Sequence, residues 1–220
     1  MSELKFFEHT TSKNPQNLVV FLHGYGANGE NLINLANEFK IVLPKANFIS
    51  PNAVEKWEGG FPNCYQWFSL YGENTERKAF EQTVENIKKS NEKLTTFIDD
   101  QLKRFNLTPK DLILVGFSQG AMMAIYNGLA RQQKIKSIVA YSGRVILPNI
   151  VGEKILSKPE ICLIHGEDDA VVPFDHFIEG KKILANENIP FDSCSVKGLD
   201  HSIDISGIRY AMEFLKKVGK

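Results

Sequence analysis

The stretch "DLILVGFSQGAMMA", Asp111 to Ala124, changes character abruptly in its middle. Residues 111–116 are mostly apolar and read as a buried strand, and "AMMAIYNGLA", from Ala121, reads as a helix packed on it. Between them a polar Ser118 sits in Gly116-Phe117-Ser118-Gln119-Gly120, with a glycine two positions away on each side. The serine could simply cap the helix. The alternative is a turn so tight that its central residue is strained, with glycines removing side chains that would strike the neighbouring strand and helix. Such a turn pushes the hydroxyl out above the sheet edge, with the dipole of the following helix aimed at it.

Working outward, the same alternation recurs. "LKFFEH" (4–9) suggests an edge strand, and "NLVVFLHG" (17–24) is a continuous apolar run followed by "YGANGE" and a helix-like "NLINLANEF". "NFIS" (47–50) reads as a buried strand stopped by Pro51. Over residues 75–106, Phe80, Val84, Ile87, Leu94, Phe97, Ile98, Leu102 and Phe105 recur in steps that mark one amphipathic helix or two consecutive ones. Further strands are read at 136–143, 160–166 and 191–198, and helices at 176–188 and 208–218. Apolar strands alternating with helices imply an α/β fold with a mostly parallel sheet covered on both faces. Without repeats, linkers or low-complexity tracts, residues 1–220 are expected to form one domain. Ligand sites in such sheets gather at the carboxyl ends of the strands. There lie His23-Gly24, Ser118, the Glu167-Asp168-Asp169 run and the Asp200-His201 loop.

Composition narrows the function classes. Lysine plus arginine and aspartate plus glutamate both count 26, so the net charge is zero, and the lysine doublets at 88–89, 181–182 and 216–217 are isolated. This argues against a nucleic-acid partner. No apolar run approaches the ~18 residues of a membrane span, and "MSELKFFEHT" lacks a basic-then-apolar leader pattern. Cys64, Cys162 and Cys194 have no paired spacing and suit a reducing compartment. A cytoplasmic location is expected.

A serine hydroxyl needs a base to become a nucleophile, and the base needs an orienting acid. In strand-turn-helix elbows of this kind the order is serine, acid, histidine. Of the histidines after Ser118, His165 precedes the acidic run and His176 opens a helix, where a solvated role is expected. His201, in the loop after the last strand, is the candidate base. Glu167, Asp168 and Asp169 remain open as the acid, with Asp175, Asp200 and Asp204 as weaker options.

"FLHGYGANGENL", "LVGFSQGAMMA", "LIHGEDDAVVPF" and "GLDHS" together resemble the acyl-protein thioesterase and phospholipase/carboxylesterase family of α/β-hydrolases, over about residues 15–215. The resemblance implies the α/β-hydrolase fold and points to Asp169, before "AVVP", as the acid beside Ser118 and His201. It places the oxyanion-hole amides at Gln119 and Tyr25, the latter where leucine is often found. It implies a serine hydrolase of carboxylic acyl esters that works through an acyl-enzyme without cofactor or metal. An acyl-protein thioesterase or lysophospholipase is the alternative, and an inactive, ligand-binding hydrolase fold a third.

Substrates on these readings are small-molecule or lipid acyl esters, or acylated proteins, without stable membrane insertion. The core elements leave no room for a lid domain: only residues 144–159 separate "YSG" from the next strand. In the irregular segment 51–72, Trp57, Phe61, Tyr65, Trp67, Phe68 and Tyr71 form a candidate wall, either touching substrate or packing under the loop. Trp67 and Phe68 carry most weight as substrate contacts, because the family often has an aromatic pair there.

Overall fold

Apolar side chains on successive residues of a strand point to opposite faces, so a strand apolar throughout needs a core on both sides. The computed structural model bears this out; it describes residues 4–70 and 76–219, with side chains at 76–81 and 151 left aside. In chain order the elements are β1 (Phe6–His9), β2 (Asn17–Leu22), α1 (Gly29–Ile33), α2 (Ala36–Phe39) and β3 (Ala46–Pro51). Next come β4 (Glu55–Lys56), β5 (Tyr65–Gln66), α3 (Glu76–Arg104), β6 (Leu112–Phe117) and α4 (Gln119–Ala130). The remainder is β7 (Ser137–Tyr141), β8 (Glu160–Gly166), α5 (Asp175–Asn186), β9 (Phe191–Val196) and α6 (Ile205–Val218).

Seven strands form one sheet in the order β1-β3-β2-β6-β7-β8-β9. Only β1 runs antiparallel to its neighbour. The strands split residue by residue between two cores. Leu18, Val20 and Leu22 of β2 join Leu112 and Leu114 of β6 under α3, α4 and α5. Val19 and Phe21 join Ile113 and Val115 under α1, α2 and α6. Burying each such side chain contributes about 1.5–3 kcal/mol, so a one-residue slip of register would forfeit both cores at once.

The amphipathic stretch at 75–106 is a single helix whose Ile87, Leu94, Phe97, Ile98 and Leu102 are buried. Val84 and Phe105 are half-buried against the same core. Phe80 falls among the side chains left aside, and Tyr71 lies outside the described residues. Three expectations change. "NLINLANEF" forms two short helices, α1 and α2, rather than one. Pro51 ends β3 as its last residue, pairing with Phe6 where no further ladder bond is needed, instead of stopping the strand before it. The segment 51–72 also holds a small hairpin, β4 paired with β5, whose two-residue strands are too short to show a period.

Candidate active site

The turn between β6 and α4 is strained at its centre. Ser118 has φ 54° and ψ −119°, a left-handed conformation that a side chain disfavours, and its side chain makes no capping hydrogen bond. The surrounding backbone holds it there: the Ser118 amide donates to Tyr141 O at 2.9 Å, and the Ala121 amide donates to Ser118 O at 3.0 Å. The flanking glycines have a steric cause. A Cβ on Gly116 would lie 2.3 Å from Gly120 O, and one on Gly120 would lie 1.9 Å from Leu22 O.

Above the elbow three side chains form a hydrogen-bonded line. Ser118 Oγ lies 3.0 Å from His201 Nε2, and His201 Nδ1 lies 2.7 Å from Asp169 Oδ2. The carboxylate accepts from Nδ1–H, which leaves Nε2 free to accept from the serine hydroxyl. Phe117 packs on the His201 ring at 4.8 Å between centroids, limiting its rotation. Asp169 Oδ1 accepts from the Val171 and Val172 amides at 2.9 and 2.8 Å. Burial alone would raise the Asp169 carboxyl, but the His201 hydrogen bond and these two amides outweigh it and hold it below the usual carboxylate range.

Among the three adjacent carboxylates only Asp169 is turned inward; Glu167 is exposed and accepts from Ser195, and Asp168 is exposed. Asp204 caps α6, accepting from the Gly207 amide, while Asp175 opens α5 and Asp200 accepts from Ser202. His165, set aside in the sequence, sits behind the line: Nε2–H donates to Val172 O at 2.8 Å and lies 3.3 Å from Asp169 Oδ2. Burial lowers its pKa, so it stays neutral beside the carboxylate.

The loop after β2 is fixed by buried polar groups. His23 is fully buried, its Nε2 accepts from the Ala53 amide at 2.9 Å, and its Nδ1–H therefore donates to Gly24 O. Burial pushes this imidazole down to about 4 against a smaller upward pull from the Gly24 carbonyl. Trp67 Nε1–H donates to His23 O at 2.9 Å. The Gln119 side chain accepts from the Trp67 amide at 2.8 Å and donates to Phe68 O at 2.7 Å. That clamp was not legible in the sequence, because it joins residues about fifty positions apart.

Trp67 and Phe68 are therefore placed differently from the expectation of substrate contact. Their side chains are buried, at 0% and 2% exposure, and neither lines the cleft. The physical reason is that Gln119 and His23 hold this segment by its backbone and indole, turning both rings into the core. Tyr25 and Phe117 do line the cleft, and Tyr25 packs edge-on against Trp57 and donates its hydroxyl to Glu58. Glu58 also accepts from Ser69 Oγ and the Leu70 amide, tying Tyr25 to the segment that carries Leu70.

The cleft over Ser118 has a volume of about 410 Å³. Tyr25, Ala27, Leu70, Met122, Val171, Val172 and Pro173 line it, together with Gly24, Phe117, Ser118, Gln119 and His201. Arg144 and His176 also line it, and neither was singled out for that role in the sequence. Between β7 and β8 the described residues hold only a short 3-10 helix, Pro148–Val151, rather than a lid. No helix among the described residues is long and apolar enough to cross a membrane.

This architecture has close counterparts. The phospholipase/carboxylesterase family model matches residues 7–219. Esterase YpfH of Escherichia coli is 27% identical over 215 residues, covering 96% of this chain and 87% of that protein. Acyl-protein thioesterase 1 of Saccharomyces cerevisiae is 29% identical over 221 residues, covering 90% and 91%. The crystal structure of esterase PE8 superposes with a TM-score of 0.88 at 35% identity, covering 98% and 99% of the two chains. With that sheet, that elbow and a match along nearly its whole length, the chain belongs to the phospholipase/carboxylesterase family and is a carboxylesterase-like α/β-hydrolase.

Proposed function

We propose that the chain hydrolyses carboxylic acyl esters by covalent catalysis, with Ser118 as nucleophile, His201 as general base and Asp169 as orienting acid. The supporting observation is the unbroken line from Ser118 Oγ through His201 to Asp169, at 3.0 and 2.7 Å. Ser118 Oγ bonds to the ester carbonyl carbon as its proton passes to His201 Nε2. The resulting oxyanion accepts from the Tyr25 and Gln119 amides; Gln119 opens α4, so its N–H has no carbonyl within the helix to bond. Each such donor contributes about 2.7–4 kcal/mol at comparable sites. The C–O bond breaks, and the leaving alcohol takes the proton from His201. Water then attacks the acyl-enzyme, its proton moves to His201 and on to Ser118, and the acid departs.

A second reading is an acyl-protein thioesterase or lysophospholipase activity on long acyl chains, supported by the relatives that carry the thioesterase name. The first reading is supported by the relatives and solved structures that carry the esterase name, YpfH and PE8. The third reading, a hydrolase fold that only binds, is disfavoured by the complete hydrogen-bonded line.

Two assays decide among these. A fluorophosphonate probe is expected to label the protein and to leave Ser118→Ala unlabelled; full labelling of that variant overturns the assignment of the nucleophile. A chain-length series of aryl esters beside matched thioesters is expected to peak at short to medium acyl groups. A peak at long-chain thioesters establishes the second reading, and absence of all turnover the third.

A further inference from the structure

We propose that Arg144 is a recognition point for a carboxylate carried by the substrate, so that esters with a negative charge a few bonds from the scissile carbonyl are preferred. This rests on the ester-hydrolase reading above and deepens it by naming a substrate class.

The argument begins with charge. Among the described residues that line the cleft there is no aspartate or glutamate, and Arg144 is the one permanent charge. Carboxylates beside the cleft residues are already engaged: Asp169 is buried behind His201, Glu58 accepts from Tyr25, Ser69 and Leu70, and Glu179 lies 3.3 Å from His176 Nδ1. Arg144 itself is exposed and makes no hydrogen bond or ion pair with a described residue. Arg104 pairs with Glu8 at 2.8 Å and Arg131 with Asp99 at 2.7 Å, while Arg209, exposed on α6, has no such partner among the described residues either but does not line the cleft. A guanidinium without an internal partner, in a cleft whose described lining holds no carboxylate, is an open fork for one.

The backbone beneath Arg144 is held tightly on both sides. A Cβ on Gly143 would lie 2.6 Å from Ala121 Cβ and 2.9 Å from Ser118 O, so residue 143 must be small and the chain passes directly against the elbow. Val145 is buried, and its Cγ2 stands only 2.7 Å from where a Gly180 Cβ would be. Between these two fixed points residue 144 emerges beside the serine with little backbone freedom. Ser118 and Arg144 line the same cleft. The guanidinium therefore reaches a group only a few bonds away from a carbonyl seated at Ser118.

The test compares matched esters with and without a carboxylate. One pair carries it on the acyl side, as nitrophenyl hemiglutarate against nitrophenyl valerate. The other carries it on the alcohol side, as a butyrate of hydroxyphenylacetic acid against that of its methyl ester. One carboxylated ester is expected to exceed its neutral partner in kcat/KM, chiefly through KM, and which pair does so places the anion. Losing a charge-assisted hydrogen bond is expected to lower that ratio about 10–100-fold in Arg144→Met. Arg144→Lys should retain part of it, and Arg144→Glu should invert it. A ratio that Arg144→Met leaves unchanged, or a wild-type protein indifferent to the carboxylate on both sides, overturns the proposal. Failure of the wild-type protein to turn over the neutral esters or take up a fluorophosphonate would instead sink the hydrolase reading beneath it.

Discussion

His165 Nε2 lies 3.3 Å from Asp169 Oδ2, the same oxygen that accepts from His201 Nδ1 at 2.7 Å. Two imidazoles thus flank one buried carboxylate, but they differ in role. Only His201 reaches Ser118, while His165 bonds to the Val172 carbonyl of the loop that presents the carboxylate. Asp169→Asn is expected to cut kcat by on the order of 10⁴-fold with the fold retained, because its oxygen can still accept from the Val171 and Val172 amides. His165→Leu orphans the Val172 carbonyl and is expected to cost about 1–3 kcal/mol of stability, with a loss of kcat below about tenfold. Denaturant midpoints and turnover of a neutral aryl ester separate the two effects.

Strain at the elbow predicts an unusual order of stabilities. Ser118 has a left-handed φ of 54°, and such positions store about 1–3 kcal/mol for residues with a side chain. Glycine relieves that strain at a cost of roughly 0.5–1 kcal/mol in chain entropy. Ser118→Gly is therefore expected to be about 1 kcal/mol more stable than Ser118→Ala, by urea denaturation. Gly120→Ala places its Cβ 1.9 Å from the Leu22 carbonyl oxygen. It should lose about 3 kcal/mol, the upper end of overpacking costs, since strand backbone cannot move aside.

The Gln119 clamp predicts a role for that side chain apart from its amide. Gln119→Ala leaves the buried Trp67 N–H and Phe68 C=O without their partner, at about 1–3 kcal/mol for each group. Stability should fall by at least about 2 kcal/mol, and KM should rise as Leu70 loses its support, although residue 119 still offers an N–H. Equal stability of Gln119→Ala and the wild-type protein would contradict the clamp.

Acid sensitivity should arise first at His23. Its imidazole titrates near 6.5 when unfolded and about 4 when folded, because burial disfavours the charged form. Between these values the unfolded chain binds the extra proton, so stability falls as pH drops from about 6.5 to 4, by about 3 kcal/mol in all. His165, also lowered by burial, acts with the same sign. The depressed carboxyls of Asp169, Asp192 and Asp204 contribute only at lower pH, below their unfolded values near 3.8. His23→Asn should flatten the pH dependence of the denaturation midpoint across that window; an unchanged slope contradicts the assignment.

Much of this molecule was legible along the chain because its signals are local. Apolar runs of strand length revealed a sheet covered on both faces, and the glycines at 116 and 120 marked the elbow within five residues. The order of Ser118, an acid and His201 could be read from the same logic. Residue chemistry alone left Glu167, Asp168 and Asp169 open, and only the family resemblance pointed to Asp169, since three adjacent carboxylates differ only in which one faces inward. That direction is set by the Val171 and Val172 amides and by His201, thirty-two residues further on. Folding likewise decided that Trp67 and Phe68 turn into the core while Tyr25, Arg144 and His176 face the cleft. Side-chain type and period determine what a segment can become. Which group meets which across fifty or more residues depends on close packing and on the pairing of buried polar atoms, and these exist only once the chain has closed on itself.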